Sequence, residues 1–230
     1  MAQPKLNIVC FYWQGGITSG WGNTILGIEY VNRLYRSISR NLTSPFKFTC
    51  FLQEGIQARK LMSEINIHRF SAPVWEGRLP KLYAFSKGNG LEGRVVIVDM
   101  DLIIVGNLDE MFAYNGKFMT RGEPGNPNIS GGDIVFFEAG SFSNFWDDLV
   151  KDPAGVVKKT KGSERYFYRQ WLNGDQDFVE KLYPGQWMSY KFHIRRGNLT
   201  IPKNCCLISC HGHPKPHELA KLDWIQRYWK

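Results

Sequence analysis

The 230 residues carry 29 Lys and Arg against 21 Asp and Glu, a net charge of +8, with 43% of positions apolar. That is enough apolar chain for one sizeable core and too little for two, so a single domain over 1–230 is expected. No apolar run reaches the roughly 18 to 20 residues of a membrane span and the start MAQPK lacks a secretory layout, which points to a cytoplasmic, non-secreted protein that meets a membrane at most peripherally.

Leu6 to Trp13 is β-branched and aromatic and predicts a buried first strand, followed by a loop with Gly15, Gly16, Gly20 and Gly22. Gly27 to Arg40 repeats apolar residues at Ile28, Val31, Leu34, Tyr35 and Ile38, a helical spacing. Phe46 to Leu52 reads as a second strand, Ile56 to Ile65 as a helix, Ile67 to Phe70 as a third strand and Arg78 to Ser86 as a helix entered through Pro80. Arg94 to Asp99 is the strongest strand, apolar until it ends in acid. Ile134 to Phe137 predicts another strand, Phe142 to Val150 a helix, Lys151 to Lys161 a mobile basic loop, and Asp175 to Tyr183 a helix with an acidic first turn. His217 to Lys230 sets Leu219, Leu222, Ile225 and Trp229 on one helical face, suited to packing on the body or to lying on a membrane. Strands alternating with helices predict an α/β fold: a mostly parallel central sheet with helices on both faces, and ligands at the carboxyl ends of its strands.

Asp99-Met100-Asp101 stands where the strongest strand emerges. Residues two apart in an extended chain point the same way, so Asp99 and Asp101 can present paired carboxylates, a costly arrangement unless a cation joins them. Hard oxygen ligands favour Mn²⁺ or Mg²⁺, either of which would neutralise a diphosphate. An Asp-x-Asp triplet also arises by chance and often only caps a loop.

The surrounding run VVIVDMDLIIVGNLDEMF, Val95 to Phe112, closely resembles the metal-binding segment of GT-A (Rossmann-like) glycosyltransferases of family 8, the group of glycogenin and the bacterial lipopolysaccharide galactosyltransferases. His211-Gly212-His213-Pro214-Lys215-Pro216 resembles that family's C-terminal His-Gly-x-x-Lys-Pro signature, with His217 where Trp is usual. The resemblance implies metal ligation by Asp99, Asp101 and His211, with Met100 and Gly212 inside the donor site and Lys215 on the diphosphate. Asn128 to Phe137 resembles the family's Asn-Ser-Gly strand, which implies that Gly131 and Gly132 admit the donor sugar and that Asp133, in place of a small apolar residue, contacts it; as turn residues these also need no function. Asp175-Gln176-Asp177 resembles the family's Asp-Gln-Asp, where Asp175 and Gln176 would line the pocket; two acids opening a helix are also stabilising without any function. Lys81 falls where relatives place a base against the donor, although a lone helical Lys is ordinarily solvated. Cys10, Phe11, Tyr12 and Trp13, at the end of the first strand, would lie under the nucleotide base or belong to the core.

The expected protein is therefore a metal-dependent glycosyltransferase moving a sugar from a UDP-sugar, less readily a GDP-sugar, to a glycan, lipid-linked or glycoprotein hydroxyl, with retention implied; an inverting outcome would cast Asp133 or Asp177 as general base. Lys and Arg are dispersed, so nucleic acid is not an expected partner, and Cys10, Cys50, Cys205, Cys206 and Cys210 lack the spacing of a structural zinc site. Two other readings stand beside it: a nucleotidyltransferase, for which no Gly-rich triphosphate cradle is visible, and a non-catalytic basic module for nucleic acid or membranes.

Overall fold

A computed structural model describes residues 6–14 and 26–230; the glycine loop expected after the first strand lies outside them. β1 (Leu6–Tyr12), α1 (Glu29–Asn41), β2 (Lys47–Gln53), β3 (Asn66–Phe70) and β4 (Arg94–Val98) follow the expected order. After β4 come the short β5 (Leu102–Ile104), α2 (Asp109–Phe112), β6 (Phe118–Glu123) and a long β7 (Asn126–Glu138). The remainder is α3 (Asn144–Lys151), α4 (Pro153–Thr160), α5 (Glu164–Leu172), β8 (Asp177–Phe178), α6 (Val179–Leu182), β9 (Trp187–Ser189), β10 (Leu207–Ser209) and α7 (Asp223–Tyr228).

Seven strands form the main sheet in the order β3-β2-β1-β4-β7-β6-β8. β3, β2, β1 and β4 pair in parallel, β6 and β8 run the same way, and β7 alone is antiparallel to its neighbours. Period-two alternation sends Ile8, Cys10, Val96 and Val98 to one face, against Val31, Leu34 and Ile38 of α1. Val9, Phe11, Val95 and Ile97 go to the other, against Phe145 of α3 and Phe167 of α5. Both faces are thus covered, as an apolar parallel sheet requires.

A second, three-stranded sheet, β5-β10-β9, sits beyond β4. Its register places Leu102 opposite Ser209 and Ile104 opposite Leu207. The chain just before β5 and the chain just after β10 are therefore held together.

Several local expectations are corrected. Residues 56–65 are turns rather than a helix, because Asn32 of α1 donates to Lys60 O at 2.8 Å and accepts from Met62 N at 3.0 Å, tying up backbone groups that a helix would use. The Leu79–Phe85 segment is a 3₁₀ helix. The basic stretch expected to be a loop contains α4, whose Pro153 opens it while the Asp152 side chain accepts from Gly155 N, with Val156 and Thr160 buried. Asp175 to Tyr183 splits into β8 and α6, since Asn173 and Gly174 at positive φ (47° and 89°) end α5 and Asp177 pairs with Met119 of β6.

At the C-terminus a 3₁₀ turn, Pro216–Leu219, and α7 replace one long helix. Arg33 donates to Trp229 O at 2.6 Å and lies 4.2 Å over its ring, Ser37 donates to Tyr228 O, and Ile225 and Trp229 are buried. The apolar face of this segment is used on α1 and its surroundings. Among the described residues no helix is long and apolar enough to cross a membrane.

Candidate functional site

Because β4 ends at Val98, Asp99 and Asp101 occupy the carboxyl edge of the main sheet, and the β5–β10 pairing brings His211 to the same edge. β7 runs the opposite way, so its early residues, Ser130 to Asp133, arrive there too; Asp133 O accepts from Asp99 N at 2.8 Å.

The acids are met by buried cations. Lys81, 4% exposed, places its ammonium 2.5 Å from Asp99 Oδ1, 3.1 Å from Glu164 Oε1 and 3.0 Å from Gly132 O. Burial alone would lower its pKa, but the two carboxylates outweigh burial and raise it. Asp99 moves up as well, to about 6, because burial is reinforced by Asp101 and Glu164 and only partly offset by Lys81. Asp101 is paired with the Lys215 ammonium, which also donates to Cys210 O at 3.4 Å. Arg78, exposed at its surface, feels Glu164 most strongly and then Asp99, Asp101 and Asp133.

A second buried pair lies beside these. Arg121 Nε approaches Asp133 Oδ1 at 2.5 Å, with both side chains about 5% exposed or less, and the guanidinium sits 5.0 Å over Trp187. Burial pushes the Asp133 carboxyl up, but Arg121 and the nearby Ser209 hydroxyl hold it below the usual range. Asp133 is therefore held as an anion by Arg121.

His211 shares a hydrogen bond with the Ser189 hydroxyl at 2.8 Å and stacks on Phe192. Burial, then the charge of Arg121, depress its pKa to about 4, leaving a neutral imidazole. The folded state resists a proton that the unfolded chain accepts near 6.5, so this contribution to stability is present above that value and is lost as pH falls toward 4. Denaturant titrations across this interval are expected to show wild type losing roughly 1–3 kcal/mol more than His211→Gln. Parallel curves would contradict the assignment.

Two carboxylates and a neutral imidazole are in chemistry a fitting donor set for Mn²⁺ or Mg²⁺. Each is engaged elsewhere, by Lys81, Lys215 and Ser189, and among the described residues no three His, Cys, Asp or Glu side chains are gathered closely enough to hold a metal ion. Loading a cation requires at least Lys215 to leave Asp101.

The other expected residues separate into two groups. Gln176 joins the site: its amide donates to Ser130 Oγ at 3.0 Å and its buried Oε1 has no partner among the described residues. Asp175 is exposed and 3.8 Å from Lys117, a surface pair of little energetic consequence, and Asp177 accepts from Tyr114 OH at 2.7 Å. Gly131 and Gly132 have reasons of their own to lack side chains, since a Cβ would stand 2.4 Å from Arg121 Nε and 2.2 Å from Glu164 Oε1 respectively. Gly212 takes φ +65°, and Met100 is half-buried against the core. Cys10, Phe11 and Tyr12 are buried within β1, leaving Trp13 as the partly exposed one of the four. His217 bonds Tyr30 OH through Nδ1 at 2.5 Å.

Glu164 and Arg121 are the residues that sequence reasoning missed. Glu164, at the start of α5, is 1% exposed, and its Oε2 has no partner among the described residues. In sequence it reads as an acid in a first helical turn. A hollow of about 530 Å³ at the amino end of β2, lined by Tyr35, Ser39, Phe46, Phe48 and Glu64, lacks any such pairing of acids and bases.

No family model matches this sequence, and no curated protein does. Solved structures do. The glycosyltransferase GlyE of Streptococcus pneumoniae TIGR4 superposes with a TM-score of 0.63 at 11% identity, over 96% of this chain and 63% of its own. The galactosyltransferase LgtC, solved with donor and acceptor sugar analogues, gives 0.62 at 9% over 91% and 88%, and a bifunctional glycosyltransferase, WbbM, gives 0.59 at 10% over 96% and 50%. The chain thus spans less than two thirds of the GlyE and WbbM structures. At these identities the likeness establishes the fold alone, a mixed α/β fold shared with these glycosyltransferases.

Proposed function

We propose that this chain transfers a sugar from a nucleotide-diphosphate donor, first of all a UDP-sugar, to the hydroxyl of a glycan, lipid-linked or glycoprotein acceptor, with retention at the anomeric carbon. The observation that carries the reading is the cluster at the carboxyl edge of the sheet: Asp99 and Asp101, two ammonium groups aimed at them, and a neutral His211, on a fold shared with donor-binding transferases.

In this reading Asp99, Asp101 and His211 hold Mn²⁺ or Mg²⁺, which when bound supplies positive charge to the departing diphosphate. Lys215 exchanges Asp101 for phosphate, an ammonium being a natural point charge for it. Lys81 stays with Glu164 and keeps Asp99 in place. Gln176, oriented by Ser130, offers its free Oε1 to a sugar hydroxyl. The acceptor oxygen bonds to the anomeric carbon as the carbon–phosphate oxygen bond breaks; the nucleotide leaves with that electron pair, and the acceptor's proton goes to the leaving phosphate. Trp13, which directly follows β1 and is partly exposed, meets the base in this reading.

Calorimetric titration of UDP, GDP and UDP-sugars, with Mn²⁺ or with chelator, tests this. One uridine nucleotide should bind in a metal-dependent manner, and Lys215→Ala should weaken it about tenfold, the loss of one charge-assisted phosphate contact. If well-folded protein ignores every nucleotide in the presence of metal, a non-catalytic basic binding module takes the place of the transferase.

A further inference from the structure

Between residues 181 and 217 the sequence holds six Lys and Arg and no Asp or Glu, so this stretch supplies six of the eight excess positive charges. It includes β9, the turn Tyr190–Ile194, β10 and the His211 loop, and thus forms one wall of the site.

Three of the cations here differ from those paired at the sheet edge, Lys215 of this same stretch among the latter. Lys81, Arg121 and Lys215 each face a carboxylate. Lys191, Arg195 and Arg196 have no acidic partner within ion-pair distance among the described residues, and Arg195 and Arg196 are exposed. Burial, Lys215 and Arg195 together hold the Lys191 ammonium below its ordinary pKa, and a Cβ on Gly212 would stand 2.8 Å from its Nζ. Crowded cations of one sign are unfavourable until an anion joins them.

Phe192 connects this crowd to the site. Its ring stacks on His211, centroids 5.8 Å apart at 17°, and remains 39% exposed; the Arg196 guanidinium lies 5.0 Å from the same ring. Phe192 thus stands between the His211 imidazole and a guanidinium that has no acidic partner among the described residues, with its ring still partly open to solvent. A partly exposed aromatic ring next to polar groups offers a sugar apolar contact at its open edge, and a guanidinium beside that ring matches a phosphate in fork geometry.

We propose that Lys191, Phe192, Arg195 and Arg196 form the acceptor subsite, and that the acceptor is a phosphate-bearing sugar whose anionic group lies about one ring beyond the reacting hydroxyl. This rests on the transferase reading above and names the substrate class for that site.

The test uses the full chain and Arg195→Glu/Arg196→Glu, with thermal melting to verify folding. Binding of glucose 6-phosphate and of glucose is followed by ligand-observed NMR at low salt, alongside calorimetry of UDP with Mn²⁺ and sedimentation with phosphatidylglycerol vesicles. Wild type should prefer glucose 6-phosphate over glucose by about tenfold or more, the double variant should lose that preference, and both should bind UDP alike. Equal binding of the two sugars by wild type, or a preference that survives charge reversal, overturns the proposal. Capture by anionic vesicles without recognition of the sugar phosphate also overturns it, in favour of a membrane surface as the partner. A wild type that binds glucose 6-phosphate but no UDP defeats the parent reading instead.

Discussion

Lys81→Met is expected to remove about 3–5 kcal/mol of folding stability at neutral pH, a large part of the roughly 5–15 kcal/mol a domain has. Lys81 is buried and is the shared counter-ion of Asp99 and Glu164, which belong to elements more than sixty residues apart in sequence. Without it the buried Glu164 and the part-buried Asp99 carboxylates face each other with only the more distant charge of Arg78 to offset them. The loss should depend on pH in a defined direction. Asp99 already sits at about 6, above its ordinary value, and removing Lys81 takes away the principal influence holding it down. A carboxyl with a raised folded pKa stabilises the fold below its unfolded pKa and loses that contribution as pH rises through the folded one. The deficit of the variant should therefore shrink as pH is lowered from 7 toward 5. Adding Glu164→Gln should restore part of the stability at pH 7. Urea titrations at several pH values measure all of this, and a deficit independent of pH would show that lost packing, not charge, is responsible.

Asp101→Asn is expected to have a different profile, with transfer falling by about a thousandfold while stability falls by about 1–3 kcal/mol, the amide still accepting a hydrogen bond from Lys215. Lys215 is the partner it leaves behind, and Lys215 lies on the His211 loop, with Cys210 O as another acceptor and solvent within reach of its long side chain. The carboxylate itself has no substitute at the edge of β4. Melting temperature and turnover of a UDP-sugar, to product or to free UDP, separate the two effects. A variant that keeps more than a tenth of wild-type turnover would remove Asp101 from the centre of the reaction.

The parts of this architecture that sequence makes legible are those written in contiguous residues. Apolar, β-branched β1, β2 and β4 declare a covered parallel sheet, and an acidic pair at the exit of β4 declares an edge with chemistry. What pairs across the chain is not written that way. Lys81 reads as one more solvated lysine until Asp99, Gly132 and Glu164 close around it. Arg121 and Asp133 look like a surface base and a turn acid, yet they bury each other and require glycine at 131. Asp175 shows the converse: its motif position suggests a pocket, while the left-handed Asn173 and Gly174 turn its side chain toward Lys117 at the surface. β6 escaped notice because its half with Arg121 and Gly122 has no strand signature; pairing with β7 creates it.

The small β5-β10-β9 sheet also bears on the order of events during synthesis. Asp101 precedes β5 by one residue and His211 follows β10 by two, so their juxtaposition depends on two strands of three residues that are over a hundred positions apart. Contacts of such separation close late, since the loop entropy comes before the reward. A nascent or truncated chain can complete β1 to β7 and still have an open, chemically idle edge. Competence would then arrive in a single step, when the last fifth of the polypeptide docks.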